Sequence, residues 1–412
     1  MFNLHLSVKN KNTTFLPILL GTDANCYGMA RSFHQAYGIK SLALGKYPLL
    51  ETKHSKIVHV ETKSDFDQDQ CFLNTLNEIA KAYLAYYDKL ILIACGDRYT
   101  ELLSQYKETL SQHFYIPYIP NTLKLQLENK EAFYKICEDY KLDYPDTYFV
   151  TKESKDDIVL PFGFPVAIKA SNSITYVDLN FEGKKKAYKA ETRKEMQDIV
   201  DLIYANGYDD TLIIQDFIPG DASAMYVLNA YVNQAQKVQM MCLGHVILED
   251  HTPHGIGNYN GIIQEANSAL YEQYQNFLEA LGYVGFANFD LKYDVRDGKF
   301  KVFEINIRQG RSSFFTTASG CNLVTYLIDD LIHGKTLPKP HYHDNPYLWL
   351  HVPKRLALEY ANPKLLPQIR RLINEKKVCN TLLYDKDMNL YRYIRINRFY
   401  QQSFKKYRLY AK

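Results

Sequence analysis

Two apolar runs, FLPILLGTD at 15–23 and KLILIACGD at 89–97, constrain the fold of this chain more than any other stretch. Each ends in a glycine-containing polar turn and is followed by a helical pattern, CYGMARSFHQAYG after the first and RYTELLSQYKETL after the second. Short runs that are apolar on every residue suit strands covered on both faces, which is the situation of a parallel sheet with helices on either side. The first 120 residues therefore predict an α/β domain with a parallel sheet. Ligands of such sheets sit beyond the carboxyl ends of the strands, which singles out Gly21, Thr22, Asp23 and Asn25 in one loop and Gly96, Asp97 and Arg98 in another. Helix capping is the alternative use of Asp23 and Asp97.

Beyond residue 120 the pattern changes. NKEAFYKICEDYKL reads as an amphipathic helix, and YPDTYFV, FPVAIKAS, KAYKAE, TLIIQDFIPGD, YVLNAYVN and VQMMCLGHVIL read as short strands separated by turns, the pattern of an antiparallel α+β region. After Gly334 the stretch KTLPKPHYHDNP is a connector to a last, smaller segment. A length of 412 residues is enough for two or three units of roughly 150 residues.

Composition narrows the function classes. With 49 basic and 46 acidic residues and a net charge of +3, nothing in the overall charge calls for nucleic acid, so any basic partner site is local. The N-terminal stretch lacks a cationic region followed by a long apolar run, and no stretch approaches about 20 apolar residues, so the expected location is the cytoplasm without a transmembrane segment. Seven scattered cysteines without a CxxC pair read as reduced, mostly buried small hydrophobes, with neither a disulfide framework nor a zinc site indicated.

Chemistry concentrates in FDLKYDVRDGKFKVFEINIRQGR, residues 289–311. Strand alternation puts Glu304, Asn306 and Arg308 on one side, while Phe289, Leu291, Val302, Phe303, Ile305 and Ile307 supply an apolar side. A solvated sheet face with Asp290 and Glu304 paired to Lys292 and Arg308 is the alternative. A three-residue loop of Arg296, Asp297 and Gly298, with Gly298 left-handed, would set Asp290 directly across from Glu304. Two carboxylates and an amide are the oxygen inventory that magnesium takes from proteins. The sequence lacks a GxxxxGK[ST] loop, and the glycines of HGIGNYNG have the wrong spacing for a dinucleotide fingerprint. Lys130 at a helix start and Lys169 at a strand end are the candidates for holding phosphate instead, a solvated terminus being the alternative for Lys169.

In order and spacing these pieces resemble the ATP-grasp superfamily of carboxylate-amine ligases over residues from about 10 to 335. Within it, ACGD, FPVAIKASNS, IIQDFIPGD, LNAYVN, GIGNYN and EINIRQGR most resemble the D-aspartate ligases of peptidoglycan cross-bridge synthesis. The resemblance implies a pre-ATP-grasp α/β domain at 1–120, α+β ATP-grasp domains with antiparallel sheets at 121–337, and a C-terminal segment at 338–412. It implies an ADP-forming ligase that uses ATP and Mg2+, with Mn2+ as an alternative ion, to join an amino acid to an amine-bearing peptide or peptidoglycan precursor. Joining another amino acid to a peptide or small amine, and a non-catalytic nucleotide-binding module, are the rival readings. By the same resemblance Lys130, Lys169 and Ser171 hold phosphates, Gln215, Asp216 and Ile218 meet adenine, and Asp221 approaches the ribose. Asp290, Glu304 and Asn306 hold the metal, and Arg308 and Arg311 face the transferring phosphoryl group or the substrate carboxylate. The loop SNSITYVDLNFEG departs from the family in lacking paired glycines, and Ala222 follows Asp221 where a second acid is common.

The loops with Asp23 and Asn25 and with Gly257 and Asn258 are candidates for the amino-acid or acceptor side, a plain flexible loop being the alternative for the second. His251 with His254, and His341 with His343, lack a clustered third ligand and read as loop surface. Trp349 reads as core. From Tyr391 to Lys412 there are seven Lys or Arg and no acid, with Ile396, Tyr400, Phe404 and Tyr407 at helical spacing. Such a helix docks on its own protein body or turns its basic face to an anionic precursor or a membrane surface.

Overall fold

In the computed structural model, residues 14–171, 173–252 and 255–411 are described, and His254 lies outside them. Strands β1 (Phe15–Leu20), β2 (Ser41–Gly45), β3 (Val58–Thr62), β4 (Lys89–Ala94) and β5 (Phe114–Tyr115) form a sheet in the order β3-β2-β1-β4-β5. Every pairing in it is parallel, as the apolar runs predict. β1 is buried at all six positions. One face packs Leu16, Ile18 and Leu20 with Leu76, Leu90 and Leu92, and the other packs Phe15 and Leu19 with Tyr27 and Phe33. The chain winds outward from β1 to β3 and then crosses to β4 on the other side, so the loops after β1 and β4 diverge and leave a crevice between them.

The second antiparallel region also matches expectation. Strands β6 (Thr147–Val150), β7 (Val166–Ala170), β8 (Tyr188–Ala190) and β9 (Leu212–Asp216) form an antiparallel sheet in the order β6-β9-β7-β8. The helix Arg193–Ala205 lays Met196, Val200, Ile203 and Tyr204 on Val166, Ile168, Leu212 and Ile214.

The third sheet joins β10 (Met225–Val232), β11 (Val238–Glu249), β12 (Tyr259–Glu265), β13 (Gly285–Asp294), β14 (Lys299–Asn306), β15 (His341–Tyr342), β16 (Leu348–Leu350) and β17 (Val378–Asn380). Its order is β14-β13-β10-β11-β12-β16-β17, with β15 added to β11. The pairs β10–β11, β11–β12 and β12–β16 are antiparallel, whereas β15 and β17 run parallel to their neighbours. These two parallel additions come from the C-terminal segment and are too short to carry a strand pattern. Trp349 is buried in β16, with its indole N–H donated to Thr381 Oγ1 at 2.7 Å.

By packing, the chain divides into two units. One holds residues up to Lys124, Ala222–Asp290 and Ile305 onward, and the other holds Leu125–Asp221 and Leu291–Glu304. In the first unit the helix Leu390–Tyr410 buries Ile396, Tyr400 and Tyr407, as its spacing predicts, and also Arg392. That arginine turns inward because Asp387 meets it at 3.3 Å and the carbonyls of Glu51 and Lys53 accept from it. No helix among the described residues is long and apolar enough to cross a membrane.

The β13–β14 turn differs from expectation. It spans four residues, Val295 to Gly298, because the Asp294 carboxylate accepts from Arg296 N at 3.0 Å and its carbonyl accepts from Gly298 N at 2.8 Å. Gly298 is left-handed as predicted (φ +75°). The pairing rule that set Asp290 opposite Glu304 depended on a three-residue loop and loses its basis.

β13 is entered through Gly285, which has φ +89° and whose missing Cβ would lie 1.9 Å from the carbonyl oxygen of Pro117. Both the left-handed backbone and the backbone overlap oppose any side chain. Gly285→Ala should therefore cost on the order of 3 kcal/mol or more, read as a lower denaturation midpoint. An unchanged midpoint would show that this approach does not set the start of β13.

Candidate active site

In the first unit the crevice between the β1 and β4 loops is lined by charge. Asp23 caps the helix Ala24–Tyr37, accepting from Cys26 N at 3.1 Å, so the capping reading of this residue holds. Burial raises its carboxyl pKa, against the Cys26 hydrogen bond and the charges of Arg311 and Arg308. Gly21 (φ +135°) lets the ends of β1 and β4 pack closely at the floor of the crevice, since a Cβ there would sit 3.0 Å from that of Cys95. Asn25 is buried and donates to Cys95 O and Gln309 O at 3.3 and 3.1 Å, tying both loops to the segment after β14.

That segment carries the two arginines. Arg308 Nε donates to Asp97 at 2.7 Å, the arginine being 15% and the aspartate 81% exposed. Burial works against the Arg308 charge, but Asp97, with Asp23 and Asp290 beyond it, outweighs burial and raises the pKa. Arg311 sits within electrostatic reach of Asp23, Glu51 and His351. Among the described residues, Arg311 Nη1, Asn25 Oδ1, Gln309 Oε1, Asn288 Nδ2, Asn260 Oδ1 and His351 Nε2 are buried without a hydrogen-bond partner. Native interiors leave few such atoms unpaired, and these come from distant parts of the chain that hydrogen bonds join, Asn25 to Gln309 O at 3.1 Å and His351 N to Asn260 O at 2.9 Å, so they are the kind of atoms a small polar ligand would satisfy.

Asp290 and Asn306 are brought together. Asn306 Nδ2 donates to Asp290 Oδ2 at 3.1 Å, and Tyr259 OH donates to Asp290 Oδ1 at 3.3 Å. Because the amide spends its N–H on Asp290, its carbonyl oxygen is turned to the acceptor role, so the pair presents oxygens as a hard cation requires. Gly257 and Asn258 are used within their own loop: Gly257 N donates to Glu249 at 2.6 Å and Asn258 Nδ2 to Gly255 O at 3.1 Å.

The second unit gathers Lys130, Lys169 and Glu304. The helix Lys130–Asp139 starts at an Asn129 cap that accepts from Ala132 N at 2.9 Å. Lys130 Nζ reaches Glu304 Oε2 at 2.7 Å and Phe303 O at 3.4 Å. Lys130, with Lys169 and Lys186 beyond it, holds the Glu304 carboxyl well below its usual range, at about 2. Burial opposes this shift, and the lysines outweigh it. Lys169 ends β7, with its ammonium 5.6 Å from the Phe303 ring centre. Burial lowers its pKa to about 7, with repulsion from Lys130 and Lys186 adding to the effect and Glu304 opposing it.

The other nucleotide-side candidates have protein partners. Ser171 N donates to Thr211 O at 3.0 Å. Gln215 is buried and bonds Tyr134 and Thr147. Asp216 is paired with Arg296, and Ile218 O accepts from Lys292 Nζ at 2.8 Å. Asp221 is exposed. Sequence reasoning missed Glu51 and Lys186. Glu51 lies in irregular chain with no signal, while Lys186 ends the run KKK just before β8.

No family model matches the chain. It is 46% identical over 413 residues to the D-aspartate ligase of Enterococcus faecium (strain Aus0004), covering 96% of this chain and 97% of the relative. Among solved structures, the L-amino acid ligase of Bacillus licheniformis has a TM-score of 0.55 at 16% identity, over 78% of this chain and 74% of that one. The biotin carboxylase β-γ-ATP complex of Campylobacter jejuni has a TM-score of 0.59 at 15% identity, over 81% and 74%. At such identities the two structures speak for the fold.

The depressed Lys169 gives a pH signature for phosphate binding. Below about pH 7 the ammonium is already charged, and above it an arriving phosphate must draw a proton onto Lys169. Affinity for a nucleoside triphosphate should therefore fall between pH 7 and 9, by at most about tenfold per unit. Isothermal titration across that range should show the slope, and Lys169→Met should bind more weakly with the slope removed. An equal slope in the variant would assign the dependence elsewhere.

Proposed function

The chain belongs to the family of D-aspartate ligases, ATP-grasp enzymes that form a carbon–nitrogen bond, and from that membership we propose that it joins D-aspartate to the lysine side-chain amine of a peptidoglycan precursor. Amide formation from a carboxylate and an amine is uphill in water, so the acid is first activated. A D-aspartate carboxylate oxygen attacks the terminal phosphorus of ATP, the bond to ADP breaks, and an acyl phosphate forms. The neutral amine then attacks the acyl carbon, phosphate leaves, and the amine loses a proton to the medium.

Both halves of the reaction crowd negative charge, and the residues fit that demand. Lys130 and Lys169, with Ser171 beside them, take the phosphates; Gln215, Asp216 and Ile218 form the wall toward the base and Asp221 the approach to the ribose. Asp290, Asn306 and Glu304 are the oxygen donors for Mg2+, the last two leaving β14 on the same face because they are two residues apart. Mn2+ would suit the same donors. The ion supplies Lewis-acid neutralisation of the phosphoryl oxygens when bound. Arg308, held by Asp97, faces the transferring phosphoryl group.

The observation that carries the substrate side is the buried Arg311 Nη1 without a hydrogen-bond partner, within electrostatic reach of Asp23 and Glu51. A dicarboxylic amino acid has one carboxylate to activate and one to be recognised. Arg311 Nη1 is the clamp for the second, and Asp23, Glu51 and Asn25 Oδ1 are the acceptors for its ammonium. Gly257 and Asn258 lie in the loop assigned to the acceptor side. The proposed location is the cytoplasm, where ATP and the precursor meet.

Polar clamps reject analogues that leave their groups unpaired, so discrimination should be large. With ATP, Mg2+ and a lysine-containing stem-peptide precursor, D-aspartate should release ADP and give the aspartylated mass, while L-aspartate and D-alanine should be slower by roughly a hundredfold or more. Preferred ligation of L-aspartate or of a non-acidic amino acid would overturn the substrate assignment and leave the ligase chemistry standing.

A further inference from the structure

Outside the reaction site, Cys321, His341 and His343 each offer one ligand atom, and these atoms lie within 4.8 Å of one another. The sequence reading placed the two histidines on loop surface for want of a third ligand. The structure corrects this: His343 is buried, and the third ligand arrives from twenty-two residues earlier in the chain. Cys321 is buried just after the left-handed Gly320 (φ +107°) that ends the helix Phe314–Ser319, and its N–H is donated to Thr316 O at 2.8 Å. His341 and His343 lie in and just after β15, which runs parallel to β11, with His343 N donated to Met241 O at 2.9 Å. All three are therefore set by backbone hydrogen bonding and not by mobile chain.

We propose that Cys321, His341 and His343 bind one divalent transition-metal ion of the zinc type. One thiolate and two imidazoles are borderline-soft donors that suit zinc or copper and not magnesium. Each ring has one nitrogen already engaged by an oxygen, a contact that fixes the orientation of a ligating histidine. His343 Nε2 meets Ser319 O at 3.2 Å, and His341 Nδ1 meets the Tyr326 hydroxyl. The same hydroxyl lies 3.8 Å from Cys321 Sγ. A tetrahedral zinc site spaces its donors about 3.5 Å apart, so the three groups must close by about 1 Å, which side-chain torsions supply. His341 is exposed and gives the ion an entry from solvent. The fourth position falls to water, and the thiol proton is released to solvent as the metal–sulfur bond forms. Such an ion would strap the connector after Gly334 to the end of the helix Phe314–Ser319. It is independent of the reaction proposed above.

The test uses the full chain, stripped with chelator and kept in excess Mg2+, titrated with Co2+ as a spectroscopic probe and then with Zn2+ in competition. The expected result is one cobalt per chain with a thiolate-to-cobalt charge-transfer band, displaced by zinc. Cys321→Ser should abolish the band, and His341→Ala should weaken binding by roughly tenfold to a hundredfold or more. Because His341 is exposed, that variant reports even where Cys321→Ser folds poorly. Absence of stoichiometric binding in excess Mg2+, a band that persists in Cys321→Ser, or equal affinity in His341→Ala would overturn the proposal.

Discussion

The contact between Lys130 and Glu304 is the interaction on which the proposed chemistry turns. At 2.7 Å, with the glutamate 45% exposed, it adds little to stability. Its importance is electrostatic. A carboxylate next to two lysines is kept ionised, and the lysines are kept from repelling one another without relief. In the proposed chemistry an arriving polyphosphate takes over the lysines and leaves Glu304 to face a cation. On that proposal one ion pair joins the residue for anion binding, Lys130, to the residue for cation binding, Glu304.

Within the first unit a crevice follows from topology. Winding outward from β1 and returning to β4 leaves two loops apart at the sheet's carboxyl edge, and the chain after β14 passes against them through Asn25 and Gln309. Burial raises the carboxyl pKa of Asp23 and of Glu51 there, and the charge of Arg311 opposes it at both. On the proposed function, buried polar atoms without partners, Arg311 Nη1 and Asn25 Oδ1 among them, are what makes a dicarboxylate preferred.

Much of this was legible from residue order. β1 and β4 announced themselves because strands covered on both faces need unbroken apolar runs, and Asp290, Asn306 and Arg308 stood out because charged and amide groups in such strands need a reason. Other features were hidden for physical reasons. β15 and β17 have two and three residues, too few for any periodicity. The β13–β14 turn gained a residue through the Asp294 side chain, which a loop-length rule ignores. Arg392 reads as part of a basic helix face, and only the folded position of Asp387 makes it core. Glu51 and the Cys321–His343 cluster depend on chain segments that meet in space and share no sequence neighbourhood.

The central claim is that a carboxylate of the amino acid is phosphorylated before the amine attacks. D-Aspartate carrying 18O in its carboxylates, incubated with ATP, Mg2+ and the lysine-bearing precursor, tests this directly by mass analysis of the released phosphate. An acyl phosphate route leaves one labelled oxygen in each phosphate formed with product. Unlabelled phosphate accompanying labelled amide would contradict it.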